Sequence, residues 1–174
     1  MNRMIRIERA GTKDARILSE IAAITFVESH GSSAKQKDID HFIAEKYSEN
    51  AFGAELLNTK NNYHLIWYKD RLAGFSNIIY NFPPVNNQTG DITKLERIYL
   101  LKEFYGLKLG HQLFNFNINL ARQHDQKGIW LFVWKENKRA IEFYTKNGFT
   151  ITGSFDYRIS EDHTNPNHIM FLQL

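Results

Sequence analysis

The stretch NKRAIEFYTKNGF, residues 137–149, is the most informative part of this chain and decides the fold. Asn137 stands directly before a helical run, Gly148 stops that run, and Phe149 begins another apolar segment. Tyr144 falls in the last turn of the predicted helix. A tyrosine at such a place is either an aromatic packing residue or a proton donor, and the stretch alone leaves both roles open.

The segment upstream, IYLLKEFYGLKLGHQLF at 98–114, predicts a strand, a short loop and the start of a helix. A helix start gathers unpaired N–H groups and a partial positive charge, so it can hold a phosphate. Gly106 and Gly110 let the backbone approach a ligand closely, although glycines also serve ordinary turns. The segment contains neither G-x-G-x-x-G nor G-K-[ST], which excludes a dinucleotide fingerprint and a P-loop.

The remaining pattern predicts a mixed α/β fold with one sheet. GIWLFVW at 128–134 is nearly all apolar, as expected of a strand that is covered on both faces. Helices are predicted after Thr12, which can cap the first one, over 35–47, and from Ser48 to Leu57.

Strands are predicted in MIRIER, in NYHLIWYKD and RLAGFSNIIYN with a tight turn around Asp70 between them, in ITKLERIYLL, in FTITGSFDYR and in NHIMFLQL. Loops are predicted in FPPVNNQTGD and over 158–166. The order is strand, helices, three strands, helix, strand, helix and two strands, which predicts a single domain over 1–174.

Composition excludes several classes of function. The chain has 174 residues, and its net charge of +3 is too slight to predict nucleic-acid binding. It has no cysteine, which excludes disulfides, thiolate nucleophiles and zinc–thiolate sites, and its seven histidines are scattered, so no metal is predicted. No apolar run approaches the roughly 20 residues that span a bilayer. No signal peptide is recognised either, so we expect a cytoplasmic protein with no membrane partner.

Together, the two stretches resemble the GNAT superfamily of acetyl-CoA-dependent N-acetyltransferases. Every fixed position of the family pattern Asn-x-x-Ala-x-x-Phe-Tyr-x-Lys-x-Gly-Phe is present, as Asn137, Ala140, Phe143, Tyr144, Lys146, Gly148 and Phe149. The resemblance covers nearly the whole chain, and LERIYL with IWLFVW looks most like the bacterial spermidine/spermine acetyltransferase branch. It implies a GNAT fold: a central, mostly antiparallel sheet of about seven strands, flanked by helices and splayed at strands 4 and 5.

The other hallmark of the family, a Gln/Arg-x-x-Gly-x-Gly/Ala loop after a strand, departs from the pattern here. Tyr105 stands where Gln or Arg is usual and Lys108 where the first Gly is usual, whereas Gly110 is kept. The family's pyrophosphate contacts are mostly backbone N–H groups, so we expect the acetyl-CoA site to survive with a changed affinity. The resemblance implies coenzyme contacts at Ile98, Tyr99, Leu100, Tyr105, Gly106, Leu107, Lys108, Leu109, Gly110, His111, Asn137, Ala140, Phe143 and Lys146.

The resemblance also implies roles for the backbone and for two side chains. The backbone of Ile98 and Leu100 would pair with the pantetheine arm, and the Leu100 N–H would face the thioester carbonyl, although both residues can be plain core. Asn137 either caps the helix or also binds the arm. Tyr144 would donate a proton to the departing thiolate, with packing next to Phe143 as the alternative.

Glu96 is the candidate general base. It shares a strand face with Ile98 and Leu100, and an alkyl ammonium acceptor must lose a proton before it attacks. A carboxylate can take that proton directly or through a water. The alternative is a cross-strand ion pair with a lysine or an arginine.

The implied activity is transfer of acetyl from acetyl-CoA to a primary amine of a small molecule, by direct attack in a ternary complex. A polyamine is one acceptor considered; it would need an acidic pocket, for which Glu28, Asp38 and Asp40 are candidates in this net basic chain. Two alternatives remain: a coenzyme A-binding regulatory or structural domain with weak or lost catalysis, and a protein or peptide N-acetyltransferase. A homodimer is the assembly considered.

Overall fold

The computed structural model describes residues 4–84 and 90–174. Its strands are β1 Ile5–Arg9, β2 Asn62–Tyr68, β3 Arg71–Ile79, β4 Ile92–Leu100, β5 Gly128–Trp134, β6 Thr150–Arg158 and β7 Thr164–Gln173. Its helices are α1 Ala15–His30, α2 Gln36–Lys46, α3 Glu49–Leu57, α4 Leu109–Gln123 and α5 Lys138–Lys146, with short 3-10 turns at Thr12–Asp14 and Lys102–Phe104. In this part of the chain, no helix has the length and apolar character that crossing a membrane requires.

The strands form one seven-stranded sheet in the order β1-β2-β3-β4-β5-β7-β6. The β4–β5 pair is parallel, and β1–β2, β2–β3, β5–β7 and β6–β7 are antiparallel. The parallel register joins only Ile92–Lys94 to Gly128–Trp130, although β4 continues to Leu100 and β5 to Trp134. The mixed, mostly antiparallel sheet that splays at strands 4 and 5 is thus confirmed.

The described residues fall into two compact units. The first comprises 4–78 and 97–117, and the second comprises 79–84, 90–96 and 118–174. The first has an aromatic core around Phe26, Phe52 and Phe75. The core of the second is built from β5 and β7, with Leu131 and Met170 fully buried. The single domain over 1–174 stays a prediction.

Local sequence signals account for several boundaries. The Ser48 side chain accepts a hydrogen bond from the Ala51 N–H, so α3 starts where the sequence predicted. Lys69 and Asp70 both have left-handed φ angles, of 47° and 61°, which is the two-residue turn that joins twisted antiparallel strands. The tight turn predicted around Asp70 is therefore confirmed.

Two predicted boundaries are wrong. Thr12 does not cap α1, because it opens a 3-10 turn in which the Asp14 side chain accepts from the Gly11 N–H, and α1 begins only at Ala15. The last strand begins at Thr164 rather than at Asn167, because the polar residues Thr164–Pro166 pair with β6. This shortens the loop predicted over 158–166. Of the loop predicted in FPPVNNQTGD, residues 85–89 lie outside the described part of the chain.

Candidate functional site

The loop between β4 and α4 has two left-handed residues, Gly106 with φ 82° and Lys108 with φ 60°. A left-handed conformation favours glycine, which gives a physical reason for glycine to be usual at the position of Lys108. The space beside Gly106 is open, since a Cβ added there would meet nothing within 4 Å. Leu107 and Lys108 are both exposed, so this loop presents its backbone and a lysine to solvent.

The first turn of α4 supplies N–H groups for an anion. The helix begins at Leu109, and the Gln112 N–H is bonded to the Lys108 carbonyl, so the N–H groups of Leu109 and Gly110 lie in the first turn, ahead of the first helical bond. Leu109 is fully buried and anchors the turn, whereas His111 is exposed. Gly110 faces Leu100, whose Cδ1 would lie 3.4 Å from an added Cβ.

The β4 residues of the first unit have packed side chains. Ile98 and Leu100 pack against a cluster that includes Leu109 and Leu113, so their side chains are core, as the sequence left open. The Tyr99 ring contacts Phe75, with ring centroids 5.7 Å apart. A coenzyme role for these residues therefore falls to their backbone groups.

Helix α5 carries the second motif. The Asn137 side chain accepts a hydrogen bond of 3.2 Å from the Ala140 N–H, so the predicted cap is confirmed. Tyr144 is 8% exposed and its ring lies 5.5 Å from Phe143 and 5.4 Å from Phe149. Burial raises the pKa of the Tyr144 phenol above its usual value of 10.0, which keeps it protonated at neutral pH.

The Tyr144 hydroxyl makes no hydrogen bond within residues 4–84 and 90–174. Its proton is consequently available to a bound acceptor atom. Of the other motif residues on α5, Phe143 is half-buried, and Lys146 is exposed with its Nζ 2.6 Å from Glu142 Oε1. Lys146 is thus paired on the helix surface.

Glu96, in the second unit, has an ion-pair partner on its own strand. The Lys94 Nζ lies 2.5 Å from Glu96 Oε2, and the two side chains are only 14% and 24% exposed. The sequence left open a cross-strand pair as the alternative to a catalytic base; the observed partner lies two residues away instead. The pair supports a structural role for this carboxylate.

Two features of β4 were missed by sequence reasoning. The Arg97 guanidinium contacts the Glu55 carboxylate at 2.6 and 3.1 Å and also bonds the Tyr63 hydroxyl. The Lys94 ammonium is surrounded by aromatic rings that come from distant parts of the chain. Only the alternation of charges in KLER hinted that the two faces of β4 carry different ion pairs.

In the described part of the chain, no cluster of three or more histidine, aspartate or glutamate side chains has the geometry of a metal site. Two of the three acidic residues considered for a polyamine pocket have other partners. Glu28 Oε2 accepts from the Lys102 N–H at 2.9 Å, and Asp40 accepts from Gln36 at 2.7 Å.

Comparisons with known proteins agree with this geometry. An uncharacterized N-acetyltransferase of Lactobacillus delbrueckii subsp. lactis is 25% identical over 91% of each chain. Spermidine N(1)-acetyltransferase of Thermoplasma acidophilum is 24% identical over 84% of this chain and 89% of its own length. The crystal structure of the PaiA N-acetyltransferase from Thermoplasma acidophilum in complex with coenzyme A superposes with a TM-score of 0.79, at 22% identity, over 98% of this chain and 99% of that one. The profile of the Acetyltransferase (GNAT) family matches residues 21–149, and this chain therefore belongs to the GNAT family of acetyltransferases.

Proposed function

We propose that this GNAT enzyme moves acetyl from acetyl-CoA to a primary amine of a small molecule by direct attack in a ternary complex. The observation that carries the proposal is Tyr144: a buried, protonated phenol without a hydrogen-bond partner in the described residues, on a helix with all the fixed positions of the family motif.

The coenzyme pyrophosphate is assigned to the loop and helix start at 105–111. Three observations support the fit: the N–H groups of Leu109 and Gly110 in the first turn of α4, open space beside Gly106, and the exposed side chain of Lys108. The backbone of Ile98–Leu100 is assigned to the pantetheine arm, because the described parallel pairing of β4 ends at Lys94. The Leu100 N–H is assigned to the thioester carbonyl.

The chemistry required of Tyr144 is a single proton transfer. The amine nitrogen forms a bond to the acetyl carbonyl carbon and the carbon–sulfur bond breaks, which leaves a thiolate. Tyr144 donates its phenolic proton to that sulfur and becomes a phenolate. The amine nitrogen loses one proton on acetylation, and that proton, carried by a water or a base, restores the phenol. Because burial raises the pKa of the phenol, Tyr144 carries its proton when the thiolate forms.

Two roles compete for Glu96. As a base it would take the proton of the ammonium acceptor, directly or through a water. As a structural residue it would neutralise Lys94, and the 2.5 Å contact between them supports that role. The two roles predict different pH–rate profiles for a Glu96→Gln variant.

A polyamine is the finer acceptor assignment. It is supported by the spermidine acetyltransferase among the relatives rather than by an acidic pocket, since the carboxylates of Glu28 and Asp40 have partners within their own unit. A second candidate function, a coenzyme A-binding domain with weak catalysis, is favoured by one observation: Lys108 occupies a left-handed position that the family usually gives to glycine.

The experiment that separates these functions combines calorimetry with an acceptor screen. Purified protein is titrated with acetyl-CoA, then incubated with a panel of monoamines, polyamines and peptides, and free thiol is measured. Binding with turnover of a small amine supports the proposal. Binding without turnover of any acceptor favours the second candidate. Turnover of peptides alone assigns a peptide acetyltransferase. Absence of binding at high micromolar acetyl-CoA contradicts all three of these coenzyme-dependent functions.

A further inference from the structure

The Lys94 ammonium lies inside a ring of aromatic side chains in the second unit. Its Nζ is 5.4 Å from the ring centroid of Phe82, 5.2 Å from that of Trp130 and 5.2 Å from that of Phe132. Glu96 Oε2 completes the surroundings at 2.5 Å. We call Phe82, Trp130, Phe132 and Glu96 the ammonium cage.

The walls of the cage are fixed by contacts of their own. Lys94 and Trp130 are register partners at the last described pair of the β4–β5 ladder. The Trp130 indole N–H donates a 2.6 Å hydrogen bond to the Phe82 carbonyl, which ties this loop residue to β5. Phe132 meets Trp130 edge to face and stacks on Phe155, with centroids 4.6 Å apart. The cage is therefore held in shape by groups other than Lys94.

An ordinary surface ion pair does not explain this arrangement. Exposed lysines on the same unit, such as the one at 127, keep their ammonium in water, whereas the Lys94 side chain is 14% exposed. Aromatic faces attract a cation through their quadrupole, and a carboxylate supplies the opposite charge. Three rings and one carboxylate around a single ammonium are the chemistry by which proteins recognise ammonium ligands.

We propose that the ammonium cage is a binding site for a primary alkylammonium ion, that Lys94 is its built-in ligand, and that a free alkylammonium ion enters the cage when the Lys94 side chain is removed. In the wild type, the Glu96 carboxylate is therefore paired with the ammonium of Lys94. The test measures thermal stability and fluorescence without any turnover, so it does not rest on the proposed function.

The test is chemical rescue of Lys94→Ala by n-propylammonium, which matches the atoms that the substitution deletes. We expect the variant to melt about 5 °C or more below the wild type. n-Propylammonium chloride should raise its Tm saturably and change its tryptophan fluorescence, while leaving the wild type, whose cage is filled, unchanged. Propan-1-ol, a neutral isostere, should fail to rescue, as should sodium chloride at the same ionic strength.

Two further variants keep the test decisive. Lys127→Ala, which removes an exposed lysine from the same unit, should retain the wild-type Tm and gain nothing from n-propylammonium. Lys94→Met keeps a chain in the cage without the charge, so it should melt below the wild type and resist rescue. Trp130→Phe in the Lys94→Ala background should abolish the fluorescence change.

Three outcomes would overturn the proposal. One is a Tm for Lys94→Met equal to that of the wild type, which would mean that the charge is not recognised. Another is rescue of Lys94→Ala by propan-1-ol as effective as that by n-propylammonium. The third is the absence of any saturable effect of n-propylammonium on Lys94→Ala.

Discussion

A Cβ atom placed on Gly74 would lie well inside van der Waals contact with the carbonyl oxygen of Tyr99 and 2.5 Å from Cδ2 of Leu100. Gly74 is on β3 and is fully within the buried run of that strand. At Gly74, β3 thus approaches β4, the strand assigned to the pantetheine arm, so closely that only glycine fits at this position of β3. The Leu101 N–H, bonded to the Ala73 carbonyl, continues the same contact.

Gly74→Ala is expected to destabilise the fold by about 3 kcal/mol, the upper end for overpacking, because backbone atoms cannot yield as side chains do. Gly53→Ala is the matched control. It lies inside α3 with nothing within 4 Å of an added Cβ, so alanine there should stabilise by up to about 1 kcal/mol through helix propensity. Urea unfolding of both variants measures the difference, and equal stabilities would contradict the close approach.

Tyr144→Phe should lower turnover by roughly 10²–10⁴-fold, the range of a general acid, with unchanged acetyl-CoA affinity. The hydroxyl has no hydrogen-bond partner in the described residues, so its removal should cost little stability. Tyr68→Phe, at a half-buried tyrosine outside the motif, is the control and should keep full activity. Wild-type turnover by Tyr144→Phe would show that the thiolate departs without help from this phenol.

Lys108→Gly and Lys108→Ala separate charge from backbone strain. Both remove an ammonium whose partly exposed contact with phosphate contributes on the order of 1 kcal/mol, or about fivefold in affinity. Acetyl-CoA binding should therefore weaken, and its salt dependence flatten, in both. Only glycine relieves the left-handed φ of 60°, which costs an L-residue about 1–2 kcal/mol, so only Lys108→Gly should gain stability. Tighter coenzyme binding by the glycine variant would mean that the lysine stem crowds the site.

Glu96→Gln discriminates between the two roles of this carboxylate. From its contact with Lys94 we expect a lower Tm and a pH–rate profile of unchanged shape. A rate that falls most at low pH, where an amine most needs a base, would instead assign proton removal to Glu96. Initial rates over pH 6–9, with saturating acetyl-CoA, make the comparison.

Stability at acid pH should be governed by two histidines, the half-buried His30 and the buried His64. Burial lowers the pKa of His30 to about 4; burial, and then the charge of Arg9, lower that of His64 to about 4. Both bind their proton more readily in the unfolded chain, where the pKa is near 6.5, so folding stability is full above that value and is lost as pH falls towards 4.

The substitution His64→Phe should reduce the loss of folding stability at low pH. It removes a titrating group whose Nδ1 is buried without a hydrogen-bond partner in the described residues. His41→Gln, at an exposed histidine, should leave the dependence of stability on pH unchanged. Urea midpoints between pH 4 and pH 8 give the profile. A wild-type stability that stays constant down to pH 4.5 would contradict the assignment.

Signals carried by neighbouring residues made most of the fold predictable. Ser48 bonds the N–H three residues ahead and Asn137 does the same, so each cap could be found from a few letters. Thr12 had the right chemistry for a cap, but it lies inside a 3-10 turn in which the Asp14 side chain accepts from the Gly11 N–H. Thr164 looked like loop because strand pairing at a hairpin depends on the partner strand rather than on apolar character.

The candidate site was predictable in the same measure. Lys108 could be recognised in the sequence as a departure from the family pattern. Its left-handed φ angle shows why glycine is the usual residue at this position. Glu96 could not be assigned, because its partner and the rings around that partner depend on how β4 meets Phe82 and β5. The role of such a carboxylate is decided by surroundings that come from distant parts of the chain, and composition does not reveal them.

The charges on β4 also protect the chain from misfolding by slippage. Lys94 and Glu96 face one side of the strand, and Arg97 faces the other, where Glu55 and Tyr63 receive it. Because side chains alternate, a one-residue slip would turn the guanidinium to the opposite face of the strand and leave the partly exposed Glu55 without its counter-ion. Each of these charged side chains of β4 has its partner on one face only, and this favours a single alignment of the strand.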